Sequence, residues 1–322
     1  MLHIQNLSFA YGTKPVLNNI SFSIAKGQHI ALIGESGCGK STLLQIIYGL
    51  LDPGEGKLSW NQKELLGPKY NLVPGEDTMK YLSQGFELMP YRTVADNIGY
   101  HLSNFDKKLK RGRVSELLDI VEMQEFQNSK IEHLSGGQKQ RVALAKVLAK
   151  KPELLLLDEP FGNIDNFRRS SLRRNLYAYL SRNRITSITA THDQTDILSF
   201  TEETIVLKNG QLLIKALTKK LYQNPKTYYT ASLFGEVNSI DAHLIYQDIK
   251  PGKRALIYPH EVIINSKSIF KARVKTSYFN GNYYLIEAVF NQKVLFVQSP
   301  TMYAEGDFIG FQIPKELLLA RI

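Results

Sequence analysis

The sequence predicts an α/β domain up to about residue 234, followed by a small barrel-like domain of about five strands. Three observations predict this order. A glycine-rich loop follows a buried strand, Ile30–Ile33, and opens a helix. A second apolar run, Leu154–Leu157, ends in two acids, as a buried parallel strand does at the edge of a sheet where ligands bind. Between about 255 and 313, short strand-like runs occur without a long helix, which is typical of a small antiparallel domain.

Length and composition are those of an ordinary soluble protein with 322 residues, 43% of them apolar. No apolar run approaches the roughly 18 residues that span a bilayer, and the N-terminus lacks a signal-peptide pattern, so we expect a cytoplasmic location. The single cysteine, Cys38, allows no disulfide within the chain. The formal net charge of +10 suits nucleic acid, the anionic inner face of a membrane, or a solvated basic surface, and charge alone does not choose among them.

The first domain begins with alternating patterns that predict antiparallel strands over residues 2–9 and 16–24. They flank a Gly-Thr-Lys-Pro turn, where Tyr11 lies. A later short strand, Tyr81–Ser83, ends at Gln84.

From about residue 91 to 150 the pattern turns helical. Val114, Leu117, Leu118 and Val121 recur at helical spacing and predict one buried helix face. The other predicted elements of this domain are a helix over Ser135–Ala149 with Ser135 as N-cap, a helix over Asp165–Arg182, and a buried strand over Ile185–Thr191 that leads into His192.

The glycine-rich loop has the residue types that hold a nucleoside triphosphate with Mg²⁺. Its glycines allow a sharp turn that brings backbone N–H groups against phosphate oxygens, and the helix that follows adds its positive end. Lys40 can reach the β and γ phosphates, and Ser41 offers a hydroxyl to Mg²⁺. A plain turn would not match so many positions between a strand and a helix. The predicted nucleotide-binding residues of the loop are Gly34, Ser36, Gly37, Cys38, Gly39, Lys40, Ser41 and Thr42.

The acids that follow the second apolar run predict hydrolysis of the nucleotide. Asp158 would hold Mg²⁺, through water, and Glu159 would polarise the attacking water. The alternative is a buried strand capped by surface acids. The upstream phosphate loop favours the catalytic interpretation, and we expect an ATPase with ATP and Mg²⁺ as ligands.

The segment Leu134–Gln138 reads Leu-Ser-Gly-Gly-Gln and resembles the signature motif of the ATP-binding-cassette (ABC) ATPases. The resemblance covers residues 1–234 and implies a P-loop NTPase cassette with a RecA-like core and a helical subdomain at about 86–150. It also implies a homodimer, or a pair with another ABC subunit, that sandwiches two ATP molecules. Each signature then serves the nucleotide of the neighbour, through Ser135, Gly136, Gly137 and Gln138.

The same resemblance implies further roles at matching positions. Tyr11 is similar to the aromatic residue that stacks on adenine, and Gln84 to the glutamine that contacts Mg²⁺ and water. His192 is similar to the histidine that contacts the γ-phosphate. The segment Gly162–Asp165 resembles the loop that crosses the dimer interface, although Gly162-Asn163 departs from the commonest pattern. The implied catalytic residues are Glu159, His192 and Gln84, and the implied metal ligands are Ser41, Gln84 and Asp158.

Residues 235–322 resemble the TOBE domain, an OB-like regulatory barrel of importer-type ABC ATPases. Ala231–Asn238 resembles the link to that barrel, and Tyr258–Val262 and Glu305-Gly306 resemble its short motifs. Because the C-terminal region has room for about one barrel, the resemblance favours iron(III), polyamine or oxyanion importers over sugar importers.

The resemblance implies the ATP-hydrolysing subunit of a membrane importer, peripheral on the inner face of the membrane. Transmembrane permease subunits would contact it near Phe86–Tyr91, and a periplasmic or surface substrate-binding protein would serve the same system. The alternative is a soluble ABC-type ATPase that acts on nucleic acid or ribosomes, with Lys271, Arg273 and Lys275 on one barrel face. ABC ATPases that act on DNA carry long coiled coils, and those that act on ribosomes usually carry two cassettes. This chain has no sustained heptad repeat and one cassette, which favours the transporter and makes nucleic acid unlikely.

Overall fold

The computed structural model describes all 322 residues, and the chain divides into two compact units, Met1–Thr218 and Lys219–Ile322. The sequence placed the boundary at about residue 234, whereas in the structure residues 219–234 belong to the second unit. In this segment the ring of Tyr222 stacks on the ring of Tyr258, with their centroids 4.7 Å apart. Such a pairing leaves no local signal at the linker.

The first unit is built from ten strands and six helices. The strands are β1 (Leu2–Tyr11), β2 (Lys14–Ile24), β3 (His29–Ile33), β4 (Glu55–Trp60), β5 (Lys63–Glu64), β6 (Met79–Leu82), β7 (Leu154–Asp158), β8 (Thr186–Ala190), β9 (Glu203–Lys208) and β10 (Gln211–Leu217). The helices are α1 (Lys40–Tyr48), α2 (Val94–Ile98), α3 (Lys107–Ile120), α4 (Gly136–Leu148), α5 (Asn166–Arg182) and α6 (Gln194–Phe200). None of the helices in the chain is long and apolar enough to cross a membrane.

A six-stranded sheet, in the order β10-β9-β3-β8-β7-β6, forms the centre of this unit. Its pairs are parallel except for the β9–β10 hairpin. Strands β3 and β7 are buried at every position, since apolar clusters cover both faces of the sheet. The parallel strands therefore end at one edge, which is where α1 begins and where the acids after β7 lie.

A second sheet, in the order β2-β1-β4-β5, is antiparallel and shares an apolar core with α1 and one face of the central sheet. Helices α2, α3 and α4 share the other core, with the opposite face of the central sheet. The predicted stripe on α3 is confirmed, because Val114, Leu117, Leu118 and Val121 are all buried. The predicted N-cap is also confirmed: Ser135 forms a capping box with Gln138 at the start of α4.

The second unit contains the helices α7 (Thr218–Gln223), which begins at the boundary, α8 (Tyr228–Ser232) and α9 (Lys315–Ala320). Its strands are β11 (Asn238–Asp241), β12 (Arg254–Ile257), β13 (Ile263–Ile264), β14 (Lys271–Phe279), β15 (Tyr284–Phe290), β16 (Lys293–Ser299) and β17 (Phe308–Gln312). Five of them form an antiparallel half-barrel in the order β13-β17-β14-β15-β16 around one apolar core. This confirms the small OB-like barrel predicted from the alternating runs.

Candidate active site

One cleft of about 660 Å³ in the first unit brings together most of the predicted site residues. The cleft lies at the edge where β3 and β7 end and α1 begins. Its lining includes residues from segments that are far apart in sequence, so the fold assembles the site. The predicted residues that line it are Tyr11, Gly34, Ser36, Gly37, Gly39, Lys40, Ser41, Thr42, Gln84, Asp158, Glu159 and His192.

The phosphate loop can take its shape only with glycine at two positions. Gly34 has φ 153° and Gly39 has φ 104°, in the region that side-chain-bearing residues rarely adopt. A Cβ atom on Gly34 would lie 2.4 Å from the carbonyl oxygen of Leu207, and one on Gly39 would lie 2.6 Å from Cδ2 of Leu17. The loop is therefore held tightly against the strands beneath it, with its open side toward the cleft.

Lys40 places its ammonium group over this loop. Its Nζ atom donates hydrogen bonds to the carbonyl oxygens of Gly34, at 2.8 Å, and Glu35, at 3.0 Å. Behind the loop, the side chain of Cys38 is buried, and burial raises the pKa of its thiol. Cys38 therefore packs as a neutral group, while Lys40 supplies a positive charge at the loop.

An oxygen-rich corner of the cleft can hold Mg²⁺. The hydroxyl groups of Ser41 and Tyr81 both form hydrogen bonds with the carboxylate of Asp158, the latter at 3.2 Å. Burial raises the pKa of Asp158, and these two hydrogen bonds and the charge of Lys40 oppose the rise. The protein has no group of three or more Asp, Glu, His or Cys side chains that could hold a metal ion by themselves. Mg²⁺ at Ser41 and Asp158 would therefore take its remaining oxygen ligands from phosphates and water, as it commonly does.

Glu159 and His192 form a hydrogen-bonded pair at the mouth of the cleft. Nδ1 of His192 lies 2.8 Å from Oε1 of Glu159. Glu159 has φ 50°, a conformation that is unfavourable for a residue with a side chain. Its backbone N–H donates to the carbonyl of Ala190 at the end of β8, which fixes this turn. The backbone therefore holds the carboxylate of Glu159 toward the imidazole ring, an arrangement suited to handling a proton.

The structure also contains a linking residue that the sequence analysis missed. Gln140, buried in α4, donates from Nε2 to the carbonyl of Glu159 at 2.8 Å. Its Oε1 accepts the backbone N–H of Asn163 at 2.9 Å. Gln140 thus connects α4 to the turn that carries Glu159 and to the loop after it. A glutamine within a helix gives no local signal of such a role.

The signature residues do not line the nucleotide cleft. Ser135, Gly137 and Gln138 line a separate cleft of about 210 Å³, and Gly136 opens α4 beside it. A Cβ atom on Gly137 would lie 2.7 Å from the carbonyl oxygen of Asn163, so only glycine allows this close approach. The start of α4 therefore lies in the signature cleft, and a nucleotide bound in the first cleft would not contact it.

Behind His192, a buried ion cluster ties α5 to the start of α6. Arg173 is 5% exposed and pairs with Asp193 at 2.5 Å and with the fully buried Asp196. The hydroxyl of Thr191 donates to Asp196 at 2.8 Å. Burial raises the pKa of Asp196 to about 6, although the charge of Arg173 opposes the rise. The cluster flanks His192 on both sides in sequence and so fixes the segment that carries it.

Comparisons with known proteins agree with this geometry. Residues 17–162 match the family described as ABC transporter. The chain is 34% identical over 254 residues to the Fe(3+) ions import ATP-binding protein FbpC 1 of Haemophilus influenzae, covering 76% of this chain and 74% of that protein. It is 32% identical to the spermidine/putrescine import ATP-binding protein PotA of Spiroplasma citri, covering 95% of this chain and 93% of that protein.

A solved structure also resembles the chain. The dimeric post-hydrolysis state of the ATP-binding cassette MJ0796, bound to ADP and Pi, aligns with a TM-score of 0.61 and 28% sequence identity. The alignment covers 68% of this chain and 99% of that chain. That protein is thus similar in fold and sequence over a whole nucleotide-binding cassette.

Proposed function

The chain belongs to the ABC transporter family of ATP-binding proteins, and we propose that it is the ATP-hydrolysing subunit of an importer. The observation that carries this proposal is the single cleft in which Lys40, Asp158, Glu159 and His192 meet. The relatives named above are import ATP-binding proteins, which supports import as the direction. No observation favours the alternative of a soluble ATPase that acts on nucleic acid or ribosomes.

The residues of the cleft fit ATP and Mg²⁺. The turn of the glycine loop and the start of α1 present N–H groups to phosphate oxygens, and Lys40 adds a positive charge. The exposed ring of Tyr11, packed edge-on against Phe9 at 4.9 Å, is available to stack on a base. Bound at Ser41 and Asp158, with Gln84 at the same cleft, Mg²⁺ would neutralise the charge that develops on the phosphates.

Glu159 and His192 act on the attacking water and the terminal phosphate. The carboxylate of Glu159 accepts a hydrogen bond from the attacking water and orients it. His192 holds this carboxylate in place through the 2.8 Å contact and lies at the mouth of the cleft, where it can reach the terminal phosphate. Gln140 fixes the backbone of the same turn from the side of α4.

The separate signature cleft supports a dimer. Ser135, Gly136 and Gly137 offer an anion-receptive helix start, but they lie outside the nucleotide cleft of their own chain. A second copy, or a paired ABC subunit, would bring its nucleotide against them and complete two sites. Since each chain carries one Asp158–Glu159 pair, a homodimer would have two competent sites.

The proposed setting is the inner face of a membrane. Permease subunits would contact the chain near Phe86–Tyr91, and a substrate-binding protein would deliver the cargo. The names of the relatives support iron(III) or a polyamine as cargo classes. An oxyanion remains a third proposed class from the resemblance of the barrel.

The first test is ATP turnover of the purified full chain, compared with two variants. Lys40→Ala should lose ATP binding. Glu159→Gln should bind ATP, lose turnover, and accumulate a dimer detectable by light scattering, since closure no longer ends in hydrolysis. Turnover by Glu159→Gln at the wild-type rate would overturn the catalytic assignment, and a monomer in saturating ATP would overturn the shared-site assignment.

A further inference from the structure

We propose that a surface of the helical subdomain binds anionic lipid headgroups of a bilayer directly. This surface, called the α3 tip below, consists of the loop before α3 and the first turns of that helix. The proposal rests on the proposed function, because it requires the chain to work beside a membrane. The residues of the α3 tip are Tyr100, Phe105, Lys107, Lys108, Leu109 and Arg111.

The α3 tip exposes large apolar side chains that the fold does not use. Phe105 and Leu109 are 104% and 72% exposed, and Tyr100 is 60% exposed. The buried stripe of the same helix lies further along, at Val114 and Leu117. Single exposed apolar residues are common. Here three of them occur within one polar stretch of ten residues, which suggests an apolar partner.

Cations surround these apolar side chains. Lys107, Lys108 and Arg111 are exposed, and none of them forms an ion pair in the structure. The first turn of α3 contains no acid, although the positive end of a helix favours acids over lysines. Asp106 caps the helix, and its carboxylate accepts the backbone N–H groups of Lys108 and Leu109. The helix start is thus stabilised by Asp106, and the charges of the lysines gain nothing from the helix dipole, which leaves them available to an anionic partner.

The positive potential extends beyond the α3 tip. Burial, followed by the charges of Lys146, Lys150 and Lys80, lowers the pKa of His101, which lies between Tyr100 and Phe105 in sequence. Burial lowers the pKa of Lys146, and the nearby carboxylate of Glu87 partly opposes this effect. Three further lysines, from β6, α4 and the residues just after α4, therefore act on the loop that leads from Tyr100 to Phe105.

The fold connects the α3 tip to the segment proposed to contact the permease. The amide of Asn97 in α2 accepts the backbone N–H of Met89 at 2.8 Å and donates to the carbonyl of Met89 at 3.1 Å. Helix α2 ends at Ile98, immediately before the loop that carries Tyr100. Helix α2 thus contacts the segment proposed to meet the permease and leads directly into the loop of the α3 tip, so both lie beside the same helix.

The chemistry of the α3 tip favours lipid over nucleic acid. Proteins that hold single strands use aromatic platforms on which bases stack. The α3 tip has two exposed rings, Tyr100 and Phe105, which do not stack on each other, and the aliphatic Leu109. Such a mixture of aliphatic and aromatic side chains amid lysines matches the boundary between headgroups and acyl chains. Each lysine or arginine near an anionic leaflet strengthens binding about fivefold. Three cations together then strengthen binding to an anionic bilayer on the order of 100-fold.

The test is sedimentation of the purified full chain with vesicles of phosphatidylcholine, with and without phosphatidylglycerol. The variant K107Q/K108Q/R111Q removes three exposed charges with residues that favour helix. The matched control K219Q/K220Q/K226Q removes three exposed lysines of the second unit and changes the net charge equally. We expect the first variant to weaken binding to anionic vesicles by about 100-fold, and the control by fivefold or less. The apolar variant F105S/L109S should also weaken binding, by about tenfold or more.

Three results would overturn the proposal. Wild-type chain that does not bind anionic vesicles, or binds neutral vesicles equally well, would exclude a headgroup site. Equal losses in the two charge variants would show that only net charge matters. Loss of binding to a single-stranded oligonucleotide by the first variant, with vesicle binding unchanged, would assign the surface to nucleic acid. ATP turnover in the same preparations should match wild type in all variants, and its absence from wild type would refute the proposed function instead.

Discussion

Replacing Arg173 with Met should destabilise the first unit strongly. The change removes the cation between Asp193 and the fully buried Asp196 and also its contact with Phe161, where Cζ lies 5.4 Å from the ring centroid. Removing one partner of a buried ion pair costs about 3–5 kcal/mol, because the other charge stays buried without compensation. Methionine preserves most of the volume, so the loss reports charge more than packing.

The pH dependence of this loss follows from Asp196. The pKa of Asp196 is about 6 in the folded protein, above the ordinary value of 3.8. The folded state therefore binds this proton more tightly than the unfolded state does. The contribution of this carboxyl to stability is greatest below pH 3.8 and is lost as the pH rises through about 6. Without Arg173 the pKa should rise further. The loss caused by Arg173→Met should therefore be smaller near pH 5 than near pH 8 by about 1 kcal/mol or more, since one pKa unit corresponds to about 1.4 kcal/mol.

Urea unfolding followed by tryptophan fluorescence measures this loss directly. Trp60 is the single tryptophan of the chain and is buried in the first unit, so its signal reports that unit alone. Arg174→Met, at the exposed neighbouring position on α5, removes the same charge and should cost less than about 0.5 kcal/mol. Adding Asp196→Asn to Arg173→Met should recover part of the loss. A loss below about 1 kcal/mol, or an equal loss at both pH values, would show that Arg173 does not compensate a buried carboxylate at Asp196.

Further predictions concern the nucleotide and the two units. Lys40→Ala should abolish ATP binding in a fluorescent-nucleotide titration, and normal affinity would contradict the role of the loop. Gly137→Ala should bind ATP normally but lose turnover and the ATP-dependent dimer seen by light scattering, because its Cβ atom would lie 2.7 Å from the Asn163 carbonyl. Truncation after Thr218 should leave a folded unit with basal ATP hydrolysis, measured by phosphate release. Truncation after residue 239 should give a less soluble product, since Tyr222 loses its stacking partner; equal solubility of the two products would argue against the unit boundary.

The parts of the fold and site that depend on neighbouring residues were predictable from the sequence. The glycine loop with Lys40 and the acids after Leu154–Leu157 are contiguous, and their spacing alone indicates a strand, a turn and an acid at a sheet edge. The capping box of Ser135 and Gln138 is likewise local. In each case the physical cause lies within a few residues of the feature.

Features that depend on distant partners were not predictable. Gln140 acts through Glu159 and Asn163, and Arg173 acts through Asp193 and Asp196, contacts that exist only after the helices pack. The stack of Tyr222 on Tyr258 is likewise a long-range contact without a local pattern. A buried glutamine or arginine in a helix has no sequence pattern that distinguishes it from an exposed one.

The assignment as the ATPase of a membrane importer can be tested by affinity capture from native membranes. The Glu159→Gln chain in ATP serves as bait, with Lys40→Ala as the matched control. Multi-span membrane proteins should be retained by Glu159→Gln and lost with Lys40→Ala, and their identity would narrow the cargo. Recovery of ribosomal or DNA-associated proteins instead, without membrane subunits, would contradict the importer assignment.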